Sequence, residues 1–211
     1  MNTKPSILYP KLHSICKEFE QQYDLIPEER KTQLRLLSNY VSRKIKEEKT
    51  VKLVVICTHN SRRSHLGQLW LAVGADYFQL PDIQTFSGGT EATAFNIRAV
   101  RALQNIGFDI RTESSHTGNP IYNIRWKSDM LPYKAFSKKY EDFPNPKKRF
   151  AAIMVCTSAD EGCPVVQGCD FRISLPYDDP KAFDDTTLEA AKYTERAHQI
   201  GREMFFVLSE I

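Results

Sequence analysis

The apolar positions change period near residue 50. Between Tyr9 and Tyr23, the residues Leu12, Ile15, Cys16 and Phe19 lie at helical spacing. After a break at Ile26-Pro27-Glu28, the series Leu34, Leu37, Val41 and Ile45 resumes it. Pro27 followed by Glu28 and Glu29 suits a helix start. Residues 1–49 therefore read as an N-terminal helical extension of two amphipathic helices. Their apolar stripes need a cover, either the rest of the chain or a second subunit. A homodimer through these helices is thus one of two expectations. Cys16 falls on an apolar stripe and reads as a core thiol.

From Val51 onward, strand and helix patterns alternate. Val51–Ile56 is a continuous apolar run of the buried-strand type. Residues 64–78 carry Leu66, Leu69, Trp70, Val73 and Tyr77 at helical spacing, and a short strand follows at Ile83–Phe86. Asn96–Ile106 reads as a helix with Gly107 at its C-cap. The stretch Thr112–Pro146 has the weakest pattern, with an extra strand expected over Pro120–Trp126 and a short helix over Tyr133–Tyr140. Strands are again expected at Phe150–Cys156 and Phe171–Leu175, and a long final helix over Thr186–Leu208. This order predicts an α/β three-layer sandwich around a central, mainly parallel four-stranded sheet, occupying residues 50–211. Sites of such sheets lie at the carboxyl ends of the strands. Cys57 and Cys156 each end a strand, and Asp178 and Asp179 follow a third, so all four are expected at one edge.

The chain has 211 residues, 41% of them hydrophobic, and a net charge of +3. Lysines and arginines are mixed with acids, and the cluster Lys147-Lys148-Arg149 reads as the flank of a strand rather than a nucleic-acid patch. The mild basicity suits an anionic substrate. No apolar run approaches a membrane span, and the first residues lack a secretory core, so a cytoplasmic chain is expected. Five cysteines are an odd number, which argues against a secreted disulfide framework and for catalytic, redox or metal-binding thiols.

The chemistry concentrates behind the first strand, in Cys57-Thr58-His59-Asn60-Ser61-Arg62-Arg63-Ser64. A strand, a tight loop and a helix start point backbone N–H groups inward and add the partial positive charge of the helix end. Residues Thr58, His59, Asn60, Ser61, Arg62, Arg63 and Ser64 thus form a cradle for a tetrahedral oxyanion. Cys57 sits in the same field, which favours its thiolate. The planar fork of Arg63 can grip two oxyanion oxygens. A bland alternative is a buried thiol at a strand end with Arg62 and Arg63 on the surface, but the strand–loop–helix context weighs against it.

Two further segments carry reactive groups. Cys156 and Cys163 stand seven positions apart, and Cys169 follows. Zinc would want a close C-x2-C knuckle or a His pair, and neither is present. Two buried thiols and a redox pair remain open. Bonded cysteines need Cα atoms within about 7 Å, whereas seven helical residues span roughly 10.5 Å, so oxidation would have to loop or melt a helix there. Cys169 offers a second conceivable resolving thiol. In Tyr177-Asp178-Asp179-Pro180, a carboxylate held beside the Cys57 loop could serve as general acid or base.

With these elements in view, residues 51–211 resemble the low-molecular-weight protein tyrosine phosphatase superfamily, and most of all its thioredoxin-coupled arsenate reductases. The loop Cys57–Ser64, the pair Asp179-Pro180 and the segment Cys156–Pro164 carry the resemblance. It implies that Cys57, Arg63, Asp179, Cys156 and Cys163 are catalytic. It also implies that Asn60 holds the loop shape, that Ser87 hydrogen-bonds Asn60, and that a thioredoxin-like protein is the reductant; no cofactor is expected, and no residue is assigned to a metal. The chain departs from the family pattern in three places. His59 stands where Gly is common, Arg62 where a small residue or Cys is common, and Gln68 where a Glu supports a potassium site. Two other functions fit part of the pattern. A phosphomonoesterase acting on phosphotyrosine needs only Cys57, Arg63 and Asp179. A non-catalytic oxyanion or redox sensor would need the loop but no nucleophile.

Overall fold

The computed structural model describes residues 8–47, 50–113, 118–162 and 165–211. Its elements, in chain order, begin with α1 (Pro10–Glu20), α2 (Glu28–Glu47), β1 (Val51–Cys57) and α3 (Arg63–Tyr77). β2 (Ile83–Gly89), α4 (Ile97–Ile106), β3 (Asp109–Thr112), β4 (Tyr122–Arg125) and β5 (Tyr133–Ala135) follow. The chain closes with β6 (Phe150–Met154), α5 (Thr157–Gly162), β7 (Cys169–Ser174) and α6 (Glu189–Ser209).

The apolar run of β1 is explained by its place. Four strands form one sheet in the order β2-β1-β6-β7, and every neighbouring pair is parallel. Leu53, Val54, Val55 and Ile56 alternate between the two faces, yet all are fully buried, because both faces of the sheet are covered. On one face, α3 comes so close that a Cβ on Gly67 would lie 2.9 Å from Val55. The α/β class and the four parallel strands match the expectation. The chain leaves β1 toward β2 on one side and returns to β6 on the other, so the strand order reverses at β1 and opens a crevice at its carboxyl end.

The stretch of weakest pattern forms a second, antiparallel sheet in the order β3-β4-β5. The helix expected over Tyr133–Tyr140 does not form, and Tyr133–Ala135 is strand β5. Its Tyr133 hydroxyl donates to the Thr85 carbonyl at 2.5 Å and accepts from Gln68 Nε2 at 2.7 Å. These partners lie far away in the chain, so local spacing cannot register them. The final helix starts at Glu189 rather than Thr186, because a 3₁₀ turn at Pro180–Phe183 and further turns precede it.

The N-terminal helices dock on their own chain. The Tyr9 N–H donates to the Trp126 carbonyl at 2.9 Å, tying the start of α1 to the end of β4. Phe19 of α1 meets Trp70 of α3 and Phe205 of α6 edge-on, at 4.9 and 5.5 Å. Leu34, Leu37 and Val41 of α2 are fully buried, and Ser38 Oγ donates to the Val207 carbonyl of α6 at 2.8 Å. The two apolar stripes are therefore covered within the chain, and a second subunit is not needed to bury them. Cys16 lies in this core, where burial pushes its thiol up. No helix among the described residues is long and apolar enough to cross a membrane.

Candidate active site

At the carboxyl end of β1 the chain turns through residues 58–62 into α3. Five consecutive carbonyls of this stretch accept from donors around it. Cys57 O accepts from Thr90 N, Thr58 O from Glu91 N, and Ser61 O from Asn96 N, at 3.2, 2.8 and 2.9 Å. His59 O accepts from Ser137 Oγ and Asn60 O from His65 Nε2, both at 3.0 Å. In a trans peptide the N–H points opposite to the C=O. Outward carbonyls therefore turn the following N–H groups toward the concave side of the loop, where the N-terminus of α3 adds its partial charge.

Asn60 takes the sharpest corner, with φ of 44°, a left-handed conformation that Asn tolerates better than most residues. It is fully buried, donates from Nδ2 to Ser64 Oγ at 2.9 Å and accepts at Oδ1 from the Lys138 N–H at 2.9 Å. Ser64 Oγ in turn lies 3.1 Å from Cys57 Sγ. The register pairs Cys57 with Gly89 on β2. A Cβ on Gly89 would sit 2.6 Å from Thr58 O and 2.7 Å from Asn60 N, so only glycine lets β2 run past the loop this closely.

Ser87 supports Asn60, but not directly as the resemblance implied. Its hydroxyl is 3.3 Å from His65 Nδ1, and the other ring nitrogen bonds the Asn60 carbonyl. His65 is fully buried and stacks on Phe95 at 3.9 Å. Burial, aided by the nearby Lys138 ammonium, holds this imidazole well below its ordinary range. It is therefore neutral, and its partners assign the proton to Nε2, which donates to Asn60 O while Nδ1 accepts from Ser87. No motif spacing singles out His65; its one signal in the sequence is a polar residue directly behind the loop at the start of a mostly apolar helix.

Arg63 and Asp179 meet at the mouth. Arg63 Nη2 donates to Asp179 Oδ2 and Nη1 to the Tyr177 carbonyl, both at 2.7 Å. Asp179 Oδ1 also caps the following 3₁₀ turn by accepting from Lys181 N at 3.1 Å. Asp178 points away to Arg196 and is solvent-exposed. The Arg62 side chain leaves the loop: Nε donates to Tyr193 OH at 2.8 Å and Nη2 to Asp184 Oδ2 at 3.4 Å. Its fork is thus taken by Tyr193 and Asp184, with Nε also 4.0 Å from Asp179 Oδ1. The His59 side chain is half exposed, 3.8 Å from the Glu91 carboxylate. A narrow cleft of about 10 Å³ opens over the loop, lined by Cys57, Thr58, His59, Ser61, Arg62, Arg63 and Asp179. Gln68, at the place of the expected potassium-site Glu, donates to Tyr133 OH and the Thr85 carbonyl.

Cys156 follows β6, the other neighbour of β1, and its sulfur lies 3.3 Å from Thr58 Oγ1. Both Cys57 and Cys156 are buried. They stand on either side of the crevice where the strand order reverses. Thr157–Gly162 is the short helix α5, and Cys163 and Pro164 lie outside the described residues. Cys169 pairs with Phe150 at the amino end of the sheet. Strand length puts it roughly 15–20 Å from the carboxyl edge, so it is no substitute resolving thiol for this site.

No family model matches the chain. Arsenate reductase 2 of Staphylococcus epidermidis is 30% identical over 128 residues, which cover 59% of this chain and 75% of that protein. The arsenate reductase of Brevibacillus brevis is 29% identical over 126 residues, covering 59% and 73%. Among solved structures, a YwlE mutant from Bacillus subtilis superposes with a TM-score of 0.50 at 12% identity, over 76% of this chain and 97% of that one, a likeness of fold alone. Sequence identity of 30% over three quarters of a relative's length, on an all-parallel sheet whose first strand feeds a C-x5-R-S loop, assigns the chain to the arsenate reductase family.

Proposed function

We propose that the chain reduces arsenate to arsenite with Cys57 as nucleophile and a thiol relay through Cys156 and Cys163. The observation that carries this reading is the position of Cys156, a second buried thiol against the oxyanion loop, 3.3 Å from Thr58 Oγ1. Hydrolysis of a phosphomonoester would need Cys57, Arg63 and Asp179 but no thiol there. The small polar cleft, without a phenyl, phenol or indole ring in its lining, suits an inorganic oxyanion better than an aryl ester.

Arsenate binds to the inward N–H groups of the loop and competes for the Arg63 guanidinium. Arsenate binding loosens the pair between Arg63 and Asp179 and leaves the Asp179 carboxyl at the mouth of the site, beside the arsenate oxygens. The Cys57 thiolate attacks arsenic; an S–As bond forms, and one arsenic oxygen leaves as water with the proton supplied by Asp179. Ser64 steadies the sulfur, and Asn60, with His65 and Ser87 behind it, keeps the loop in shape. The Cys156 thiolate then attacks the Cys57 sulfur. The S–As bond breaks with its electron pair left on arsenic, so As(V) becomes As(III) and departs as arsenite while a Cys57–Cys156 disulfide forms. Cys163 attacks Cys156 and releases Cys57, leaving a Cys156–Cys163 disulfide for an external dithiol of the thioredoxin type. Two thiols supply the two electrons and the third carries the oxidation outward. Such a relay needs a compartment that keeps thiols reduced, as the cytosol does.

The test is arsenate-dependent NADPH consumption with thioredoxin and thioredoxin reductase, for the parent and for Cys57→Ser, Cys156→Ser and Cys163→Ser. Loss of sustained turnover in all three is expected, with Cys163→Ser limited to one turnover. Absence of arsenate turnover, together with aryl phosphate hydrolysis that needs only Cys57, would assign the chain to phosphatase chemistry instead.

A further inference from the structure

Asp179 stands at the end of an irregular segment, residues 175–179, between β7 and the 3₁₀ turn. The middle of this segment is gripped from behind by the N-terminal extension. Arg30, in the first turn of α2, donates from Nε to Glu203 Oε2 at 2.8 Å and from Nη2 to the Pro176 carbonyl at 3.3 Å. Its guanidinium also lies over the Tyr177 ring, 4.8 Å from the centroid. The Tyr177 hydroxyl donates to the same Glu203 oxygen at 2.8 Å. The Tyr177 carbonyl accepts from Arg63, and Arg63 holds Asp179. An unbroken run of contacts thus leads from α2 through α6 to the carboxyl at the mouth of the site.

The cluster is suited to hold geometry. Glu203 is 3% exposed, and the Arg30 side chain is 15% exposed. Glu203 Oε1 has a further partner in Gln199 Nε2 at 3.4 Å. A buried ion pair contributes little net stability, but a fully bonded one fixes one arrangement of the groups around it. Burial and the adjoining Glu203 carboxylate hold the Tyr177 phenol well above its ordinary range, so its O–H stays a donor.

We propose that Arg30 is a positioning residue for Asp179, and that holding the acid segment is a function of helix α2. The inference rests on the reading of Asp179 as the proton donor. Arg30→Met alone would leave the Glu203 carboxylate buried and unpaired, so the informative variant is the pair Arg30→Met with Glu203→Gln, which removes both charges and leaves Tyr177 an amide partner. Its kcat for arsenate is expected to fall about tenfold or more, as misplaced catalytic groups do, with KM within about twofold because the cradle itself is untouched. Arg30→Lys should keep part of the activity that the pair loses. In an Asp179→Asn background the same pair should cost nothing further, since groups acting through one another are not additive. Hydrogen exchange gives a readout independent of turnover. The Tyr177 amide, bonded to Val155 O at 3.2 Å, should exchange faster in the paired variant. A parent-like kcat, full additivity with Asp179→Asn, or unchanged exchange at Tyr177 would each overturn the proposal. Asp179→Asn at the parent rate would overturn the acid assignment and the positioning role with it. Failure of the clamp alone leaves Asp179→Asn slow and the paired variant normal.

Discussion

Acid should unfold this protein partly through one histidine. His65 is fully buried behind the Cys57–Ser64 loop and held neutral, its pKa well below 6.5. In the unfolded chain the same ring titrates near 6.5. The folded state therefore binds fewer protons, and the stability His65 contributes is complete above the unfolded pKa and lost as pH falls below it. With the folded ring neutral throughout, the cost is RT ln(1 + 10^(6.5 − pH)). That comes to roughly 1 kcal/mol near pH 5.5 and almost nothing near pH 7.5. Lys138, the cation facing His65, is pushed down to about 8 by burial, so it titrates above most of this window. His198 is also lowered by burial and adds a slope of the same sign. The measurement is urea unfolding of the parent and of His65→Gln across roughly pH 7.5 to 5.5. The variant is less stable at every pH, since it loses the stack on Phe95. Its loss between the two ends should nevertheless be smaller than the parent's by roughly 1 kcal/mol. Equal slopes would refute the reasoning, because they would mean that His65 takes up its proton without unfolding.

Three further outcomes follow from named contacts. A Cβ on Gly201 would lie 2.6 Å from Phe19 and 2.8 Å from Trp70; Gly201→Ala should lower the urea-derived stability by about 1–3 kcal/mol, despite the helix propensity gained. A more stable variant would show that α1 does not pack on α6 as closely as described. Removing the Ser64 hydroxyl takes away a group 3.1 Å from Cys57 Sγ, so Ser64→Ala should slow arsenate turnover about tenfold, read as kcat/KM in the coupled assay. Tyr193→Phe loses the hydroxyl that accepts from Arg62 and donates to Asp184. It should destabilise the chain by about 1 kcal/mol with little change in KM for arsenate, whereas a large rise in KM would return the Arg62 side chain to the oxyanion.

What could be read from the chain was what lies close together along it. The strand, the loop and the start of α3 occupy consecutive residues from Val51 to Ser64, so spacing alone conveys their order and the inward turn of the loop. That Cys57 and Cys156 come to one edge of the sheet required only the rule that its strands run parallel; that they end neighbouring strands did not follow from the sequence. The antiparallel sheet of β3, β4 and β5 was illegible beyond one strand, because its strands are short and Tyr133 takes its partners from α3 and β2.

The sequence by itself determined the class of fold and the chemistry on offer: a thiol, an arginine and a serine at fixed spacing behind an apolar strand, two more thiols in one segment, and an acid before a proline. Those follow from covalent order and from side-chain type. Only the tertiary structure decided which partners each group has. It turned Ser87 onto His65 rather than Asn60, drew the Arg62 fork away to Tyr193 and Asp184, and put Cys169 at the far end of the sheet. It also covered the two N-terminal stripes with the chain's own α6. It set Arg30 against the Pro176 carbonyl, 146 positions further along the chain, and against the neighbouring Tyr177 ring. The reason is physical. Hydrogen bonds and ion pairs act over a few ångströms and require defined directions, so they are settled by where packing brings the backbone, and packing joins residues that no local pattern connects.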